Sequence, residues 1–393
     1  MAYVLGTTSG GTGRHVRMLV EGLVRRGHQV VVAGPPSVEE QFAFGAAGAR
    51  FVEVAVSDRP HPARDLRAVL AVRRVTREAD VVHAHGLRAG ALAGLGTRGR
   101  LLVVTLHNAL TAGGFVGFVY GVLERIVARR ADRVLVVSSD LGERMTRLGA
   151  RDVRAAVVPA PSLRPAGRPA REVADELGAG ERPILLTIAR LAQQKGLETL
   201  LDVAAGPWHE GPGEGHGQDG GPWGAAGLRE AAGPQEVAGA RGAAGSRRRP
   251  LFVIAGEGPL RGELERRIAA EGLPVKLLGN RDDVPDLLGA ATAVVTAARW
   301  EGQPLSIREA LMAGKPVIAT AVGGIPEIVG DAGILVPYGD VHALREAVRT
   351  LLDEPGTAER LAAAAVRRGR EMPDGDDAVE SVLGVYGTAR STG

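Results

Sequence analysis

The chain has 393 residues, which is enough for two domains that each bury a hydrophobic core. It contains no cysteine, so disulfide bonds and thiolate metal sites are excluded. Aromatic residues make up only 3% of the chain and its arginines are dispersed, which argues against nucleic-acid binding. The first residues lack the basic start of a signal peptide, and no segment reaches the roughly 18 apolar residues of a spanning helix. We therefore expect a cytoplasmic protein.

The N-terminal half alternates short β-branched segments with longer amphipathic ones, a pattern typical of βα units and a parallel sheet. The first predicted helix, Thr12–Arg26, has apolar residues at helical spacing and is followed by Gly27, as helix ends often are. We predict a Rossmann-like domain over residues 1–160, with strands at Ala2–Gly6, Gln29–Ala33, Arg50–Val54, Asp80–Ala84, Leu101–Leu106, Arg133–Val137 and Ala155–Val158.

A proline-rich segment, Pro159–Pro169, predicts a linker region over residues 161–182. A second βα series follows, so the predicted fold class is α/β with two Rossmann-like domains. The second domain is predicted over residues 183–371 and a C-terminal tail over 372–393. Its strands are predicted at Pro183–Ile188, Leu251–Ala255, Val275–Leu278, Ala293–Thr296, Pro316–Ala319 and Gly333–Val336.

Residues 206–249 break this pattern, because they are rich in Gly, Ala, Pro and Arg and contain only Leu228 and Val237 as branched aliphatic residues. Such a segment cannot bury enough apolar surface to offset its ordering entropy. We predict a disordered insertion between a helix and the next strand. Trp208 and Trp223 within it are interpreted as solvated filler, with a weak interaction motif as the alternative.

Two glycine-containing turns connect predicted strands to predicted helices. Gly10 and Gly11 lie in the first, where glycines let backbone amides approach a phosphate at a helix N-terminus. Gly256 and Gly258 lie in the other and leave room for a ligand, although a tight turn explains them equally well. The dinucleotide-binding pattern of dehydrogenases is incomplete, because the third glycine, Gly262, comes one position late.

Arg190 and Lys195 lie five positions apart in another strand-to-helix turn, and two cations so placed can bracket a diphosphate. Lys195 is one of only three lysines, against 45 arginines, which hints at a specific need for it. The alternative is a solvated cationic turn.

The most specific motif is the segment from Glu301 to Glu309. Glycine and proline near its start predict that Glu301 is in a loop and Glu309 on the following helix. The amides of that loop would face the strand ends, where α/β proteins bind ligands. A carboxylate on the helix can accept hydrogen bonds from both hydroxyls of a ribose. The predicted ligand-binding residues of the loop are Gly302, Gln303, Pro304 and Leu305.

His83, His85 and His107 follow predicted strands, so we expect one of them to contribute to a cleft. No acidic ligand accompanies the pair His83 and His85. The acid-x-acid pattern of Asp374 and Asp376 lies in the tail and not after a strand. We therefore predict no metal site and no cofactor.

Together these motifs resemble the retaining glycosyltransferases of family 4, which have the GT-B fold. The resemblance covers nearly the whole chain except the insertion, and it rests on the order and spacing of several motifs. They are Gly10–Val16, Arg26–Val30, Asp80–Gly86, Thr105–His107, Trp300–Ala310, Ala313–Pro316 and Gly323–Glu327.

The resemblance implies an enzyme that binds a nucleotide-diphosphate sugar between its domains and transfers the sugar to an acceptor with retention, without a metal. Arg190 and Lys195 would neutralise the diphosphate, and Glu309 would bind the ribose. Glu301 would contact the donor sugar, and His85 would lie near sugar and acceptor. The implied catalytic residues are therefore His85, Arg190, Lys195 and Glu301, with Gly10 and Gly11 approaching the phosphate. The C-terminal helix would cross back to the N-terminal domain.

Two other functions stay open, namely a nucleotide-sugar epimerase of the same fold and a non-catalytic nucleotide-sugar-binding protein. The acceptor, whether lipid, saccharide or small molecule, is not identified by any motif. The helix predicted around Phe115–Arg130 combines apolar residues with Arg125, Arg129 and Arg130. It either packs on its own sheet or docks on an anionic membrane, which adds a peripheral position at the inner membrane face to the expected location.

Overall fold

The structure, a computed structural model, describes residues 1–8, 10–56, 61–108, 114–160, 162–208 and 249–387. Most of the predicted insertion, including Trp223, lies outside the described residues, so its disorder stays a prediction. Trp208, at its N-terminal end, is described and contradicts the interpretation as solvated filler. Its indole Nε1 donates to the carbonyl of Ala204 at 3.1 Å, and its ring lies 5.9 Å from that of Phe252, so it packs on the C-terminal core.

Among the described residues, seven parallel strands form the N-terminal sheet: β1 (Ala2–Leu5), β2 (Val31–Gly34), β3 (Arg50–Glu53), β4 (Val81–His85), β5 (Leu101–Leu106), β6 (Arg133–Val136) and β7 (Val153–Ala155). Their spatial order is β3-β2-β1-β4-β5-β6-β7, so the chain direction across the sheet reverses beside β1. A crevice at such a reversal is where open α/β sheets bind ligands. The strand predicted at Ala155–Val158 lies earlier, because Val153 pairs with Val134 of β6.

Helices cover both faces of this sheet. One face is covered by α1 (Gly11–Arg25), α2 (Pro36–Phe42) and the C-terminal α15 (Gly375–Gly387). The other face is covered by α3 (Pro62–Val75), α4 (Leu87–Gly96), α5 (Gly114–Arg130) and α6 (Ser139–Arg147). Because both faces are covered, the strands are buried and almost continuously apolar.

The second sheet has six strands within the described ranges: β8 (Ile184–Ile188), β9 (Leu251–Ala255), β10 (Val275–Gly279), β11 (Ala293–Thr296), β12 (Val317–Thr320) and β13 (Gly333–Val336). Their order is β10-β9-β8-β11-β12-β13. One face packs on α7 (Ala170–Glu176), α10 (Val284–Ala290), α11 (Leu305–Met312), α12 (Ile325–Val329) and α14 (Thr357–Arg370). The other packs on α8 (Leu197–Ala204), α9 (Arg261–Glu271) and α13 (Val341–Asp353). The predicted architecture of two Rossmann-like domains is thereby confirmed.

The C-terminal helix α15 packs on α1 of the N-terminal domain, with its apolar residues in the core of that domain. The contact is close because α1 has a glycine where the helices meet. A Cβ atom on Gly22 would lie 2.4 Å from Cγ2 of Val379, which is fully buried. The absence of a side chain at Gly22 therefore determines how closely α15 approaches.

This packing predicts opposite effects for two glycine-to-alanine substitutions. Gly22→Ala should lower the free energy of unfolding by about 1 kcal/mol or more, because overpacking outweighs the gain in helix propensity. Gly384→Ala in α15 is the matched control, since a Cβ atom there meets nothing within 4 Å. It should raise stability by about 0.5–1 kcal/mol. Urea unfolding measures both, and equal stabilisation by the two variants would contradict the close contact.

Candidate active site

A cavity of about 1070 Å³ opens between the carboxyl ends of the two sheets and is lined by both domains. Its volume lies slightly above the usual range of small-molecule sites. Of the predicted site residues it brings together Gly10, Gly11, Arg190, Lys195, Gly256, Glu301, Gly302, Gln303, Pro304, Leu305 and Glu309. Two predicted residues, His85 and Gly258, do not line it.

The turn before α1 forms the N-terminal wall of the cavity. Gly10 has φ of 63° and ψ of −116°, a conformation that strongly favours glycine, and α1 begins at the next residue. An added Cβ atom on Gly11 would lie 3.9 Å from Leu305 in the opposite domain. The first amides of α1 therefore face the cleft, where a helix N-terminus favours an anion.

Arg190 and Lys195 line the opposite wall, in the loop after β8. Arg190 is exposed to the cavity, and Lys195 ends a short 3-10 turn, Gln193–Lys195. The Lys195 ammonium forms an ion pair with the Glu301 carboxylate, and the two side chains are 25% and 13% exposed. Two residues that the sequence analysis assigned to different parts of a donor are thus in direct contact.

The loop from Glu301 to Leu305 passes close to the N-terminal domain. Gly302 is required there, because an added Cβ atom would lie 2.5 Å from Val137 and 3.1 Å from the carbonyl oxygen of His107. Glu309 follows on α11 and is half-buried. Burial raises the pKa of Glu309 above its ordinary value, and Arg14 from α1 lowers it in part. A hydrogen-bonding ligand would offset this desolvation.

Three hydrogen bonds join this part of the C-terminal domain to the start of α6. The indole Nε1 of Trp300 donates to Asp140 at 2.9 Å, and the Gln303 side chain donates to the carbonyl of Val137 at 2.9 Å. The amide of Ser139 donates to Glu327 at 2.9 Å. Gln303, predicted to bind the donor, therefore also serves as an interdomain contact.

The glycines after β9 are explained mainly by backbone packing. Gly256 has φ of 143°, and a Cβ atom on it would lie 2.0 Å from the carbonyl oxygen of Ala189. A Cβ atom on Gly258 would lie 2.4 Å from the carbonyl oxygen of Leu191. Gly256 still lines the cavity, whereas Gly258 is placed behind it, so the tight-turn interpretation holds for Gly258.

Of the three histidines named in the sequence analysis, His107 lines the cavity and the predicted His85 lies behind it. His85 is only 3% exposed and forms a hydrogen bond of 3.0 Å, through Nδ1, with Nε2 of His107. His15 of α1 lines the cavity as well. Burial lowers the pKa of His15 to about 4, and burial together with His15 lowers the pKa of His107 to about 3. Both rings are therefore neutral at physiological pH.

The acid-x-acid pattern of the tail has a structural role. Asp374 Oδ1 accepts hydrogen bonds from the amides of Asp376 and Asp377 at 2.8 and 3.0 Å, at the start of α15. In the part of the chain that the structure describes, no group of three or more His, Asp or Glu residues is arranged to hold a metal ion. Within the same residues, no helix combines the length and apolarity needed to cross a membrane.

The sequence analysis missed several residues that line the cavity. Arg14 follows the glycine-rich turn and supplies a cation from the N-terminal domain. Asn280, Arg281 and Asp282 follow β10 at its carboxyl end. Both groups come directly after a strand or at the start of a helix, and this position was a signal that could have identified them.

Two family models match the sequence: "Glycosyl transferase 4-like domain" over residues 10–161 and "Glycosyl transferases group 1" over residues 238–354. The chain is 28% identical over 275 residues to alpha-D-kanosaminyltransferase of Streptomyces kanamyceticus. It is 29% identical over 280 residues to 2-deoxystreptamine N-acetyl-D-glucosaminyltransferase of Streptomyces fradiae. Each alignment covers 67% of this chain, but it spans only 62% and 57% of the respective relatives.

Among solved structures, Anabaena Alr3699/HepE in complex with UDP is similar, with a TM-score of 0.73 and 19% identity. The alignment covers 98% of this chain and 99% of that one, so the likeness extends over both domains, although at this identity it bears on the fold alone. Two Rossmann-like parallel sheets that face each other across a cleft define the GT-B architecture. The two family matches and the shared architecture support a family 4-like glycosyltransferase of the GT-B fold.

The bond between Trp300 and Asp140 predicts a measurable contribution to stability. Asp140→Ala leaves an indole N–H that is nearly buried without its acceptor, which should lower the free energy of unfolding by about 1 kcal/mol or more. Asp140→Asn keeps an acceptor oxygen and should retain most of that stability. Urea unfolding of both variants measures the difference. If both lose the same amount, the charge at the start of α6 and not the bond to Trp300 accounts for the effect.

Proposed function

We propose that the protein is a retaining glycosyltransferase that moves a sugar from a nucleotide-diphosphate donor to an acceptor hydroxyl without a metal ion. The observation that carries the proposal is that one cavity brings together Arg190 and Lys195, the carboxylate of Glu309 and the N-terminus of α1. Arg190 and Lys195 would hold the diphosphate, and the amides of Gly10 and Gly11 would approach it from the other domain. Glu309 would bind the ribose hydroxyls.

The main chemical task is to stabilise the leaving diphosphate. As the bond between the anomeric carbon and the diphosphate breaks, negative charge grows on the phosphate oxygens, and fixed cations stabilise it. The acceptor oxygen bonds to the anomeric carbon on the same face, and its proton passes to the departing phosphate oxygen. Glu301 pairs with Lys195, and the backbone of His107 lies close to Gly302, the residue after Glu301. Both residues line the cavity, so we assign them to the donor sugar. His107 takes the place that the sequence analysis gave to His85.

Donor binding must rearrange the ion pair between Lys195 and Glu301. A diphosphate near Lys195 shares its ammonium with Glu301, and a sugar hydroxyl can then donate to the released carboxylate oxygen. The structure of HepE in complex with UDP-glucose supports a nucleotide-sugar ligand for this fold.

The test is a panel of UDP, GDP and ADP sugars in a thermal-shift assay, because a ligand of the native state raises the unfolding temperature by mass action. Donors that shift it are then assayed for transfer, and NMR of the product reads the anomeric configuration. Turnover that EDTA abolishes and manganese restores would contradict metal independence. Conversion of donor alone into another nucleotide sugar would indicate the epimerase, and binding without any turnover would indicate the non-catalytic protein.

Lys195 should act mainly on the rate, because it stabilises charge that grows in the transition state. Lys195→Ala should lower kcat about a hundredfold or more, with a smaller rise in donor KM. Lys195→Arg should rescue only in part, since the planar guanidinium differs from a point charge. Steady-state kinetics with the matched donor measure these effects.

The ion pair with Glu301 requires a control, since Lys195→Ala also leaves that carboxylate without its partner. The double variant Lys195→Met, Glu301→Gln removes both charges and avoids an unpaired one. If Lys195 acts on the diphosphate, the double variant should stay as slow as the single one. Recovery of kcat in the double variant would show that Lys195 only neutralises Glu301.

We also propose that the protein docks on an anionic membrane through the exposed surface of α3, α4 and α5, and that its acceptor is lipid-linked. The location would then be the cytoplasmic face of the membrane. Six large apolar side chains are 39–67% exposed on this surface, namely Leu66, Leu70, Leu95, Val116, Phe118 and Val122. An apolar groove of about 340 Å³ lies between α3 and α5, above the Ala- and Gly-rich helix α4.

The charge of this surface favours an anionic bilayer. The three helices carry eight arginines and two carboxylates, a net charge of +6, whereas the whole chain has a net charge of +3. Both carboxylates are paired, Asp65 with Arg88 and Glu124 with Arg144 of α6. An apolar centre with a cationic border is the pattern of interfacial membrane binding.

Vesicle flotation tests this surface. The protein should bind phosphatidylglycerol-containing vesicles and not pure phosphatidylcholine vesicles, and salt should weaken the binding. Phe118→Asn with Leu70→Asn should lower the binding by at least about tenfold, because each side chain loses the gain of apolar burial. Val366→Asn, at a residue that is 39% exposed on α14, is the matched control. Binding that the double variant leaves unchanged would contradict this surface as the docking site.

A further inference from the structure

Four imidazole rings lie together behind and along the N-terminal wall of the cavity. The ring centroids of His83 and His85 are 4.2 Å apart, those of His85 and His107 are 5.3 Å apart, and those of His15 and His107 are 5.7 Å apart. Only His15 and His107 of the four line the cavity. The buried pair behind them, His83 and His85, does not line the cavity, so it can influence a ligand there only through neighbouring residues.

Both ring nitrogens of His83 form hydrogen bonds with residues outside the histidine cluster. Its Nδ1 forms a hydrogen bond of 2.6 Å with the Tyr386 hydroxyl of α15, and its Nε2 forms one of 2.6 Å with the Thr105 hydroxyl. It therefore presents only its ring face to His85. Within the described residues, the hydrogen bond that links the buried pair of His83 and His85 to a ring that lines the cavity runs from His85 to His107.

His85 is neutral, and only one of its two ring nitrogens forms a hydrogen bond among the described residues. Burial and the neighbouring imidazoles lower its pKa well below the ordinary value, so it carries one N–H and one lone pair. Its Nδ1 lies 3.0 Å from Nε2 of His107. Its Nε2 is buried and has no partner among the described residues.

Two tautomer pairs fit this geometry, and they differ in which group is left unpaired. If His107 donated to His85, the buried Nε2 of His85 would carry an N–H without an acceptor. If His85 donates from Nδ1, its Nε2 is a bare lone pair. A buried N–H group without an acceptor is rarer in proteins than a buried lone pair without a donor. The tautomer pair in which His85 donates from Nδ1 is therefore favoured.

We propose that His85 is a positioning residue that fixes His107 with its proton on Nδ1, so that His107 offers the cavity an N–H donor and no basic nitrogen. The inference rests on the proposed transferase function and deepens it. In the described part of the chain, the Nε2 of His107 bonds His85 and its Nδ1 bonds no protein group, so the Nδ1 is left for a ligand oxygen. With its lone pair occupied by His85, His107 cannot act as the general base. The acceptor proton is then left for the leaving phosphate.

The tautomer can be read without a substrate. In protein labelled with ¹⁵N-histidine, the imidazole shifts separate protonated from bare nitrogens, and loss of signals in His107→Gln assigns that ring. We expect His107 to be protonated at Nδ1 and bare at Nε2. His85→Leu should move the proton to Nε2, the form that a free neutral imidazole side chain prefers. A wild-type His107 protonated at Nε2 overturns the proposal.

Kinetics with isosteric variants give the functional readout. Asparagine at position 85 keeps an amide donor near the place of Nδ1, so His85→Asn should retain kcat within about threefold, whereas His85→Leu should lose about tenfold or more. At position 107, asparagine mimics Nδ1 and glutamine mimics Nε2, so His107→Asn should be about tenfold faster than His107→Gln. His342→Leu, on the exposed side of α13, is the control, and thermal unfolding confirms that each variant is folded.

Equal kcat for His85→Asn and His85→Leu in folded proteins would overturn the positioning role. The transferase function and the positioning role of His85 can be refuted independently of each other. Absence of any transferase activity refutes the proposed function and leaves the tautomer measurable by NMR. A wrong tautomer refutes the role of His85 and leaves the transferase intact.

Discussion

The site depends on one residue of the C-terminal domain that is buried in the core of the other domain. Trp300 is 7% exposed and packs with apolar residues of the N-terminal domain, and its indole donates to Asp140. The next residue is Glu301. The loop therefore begins with a side chain that is fixed in the opposite domain. The position of Glu301 relative to His107 is determined by this packing of Trp300 and not by the linker. The ion pair with Lys195 then ties the loop back to its own domain.

The cavity combines positively charged side chains with neutral imidazole rings. The C-terminal wall and Arg14 supply the cations, whereas the histidines of the N-terminal wall are kept neutral by burial. Such a division suits a reaction in which negative charge develops on one group only. Cations near the leaving group stabilise that charge, and neutral donors can orient hydroxyls without competing for it. The low pKa of His15 and His107 follows from their burial, and it keeps these rings from adding positive charge to the cavity.

Sequence reasoning predicted the sheets well because parallel strands covered on both faces are nearly continuous apolar segments. It also placed Arg190, Lys195 and Glu309 on one cavity, since residues after parallel strands meet at one edge. It could not distinguish His85 from His107, because both follow strands and only the register and depth of β4 and β5 decide which ring reaches the cleft. The sequence left the role of Gly258 open and misjudged Trp208 for a similar reason. Their contacts, with Leu191 and Phe252, are distant in sequence.

The distribution of arginine illustrates the same limit. Along the sequence the arginines are dispersed, and the net charge of +3 gives no sign of a charged partner. The fold sets three consecutive crossover helices side by side on one face of the sheet, and these helices carry seven exposed arginines together with exposed apolar side chains. A net charge averages over the whole surface, whereas a bilayer responds to the potential of one face within about a Debye length. The relevant quantity is therefore the charge of the face, which exists only once the topology is known.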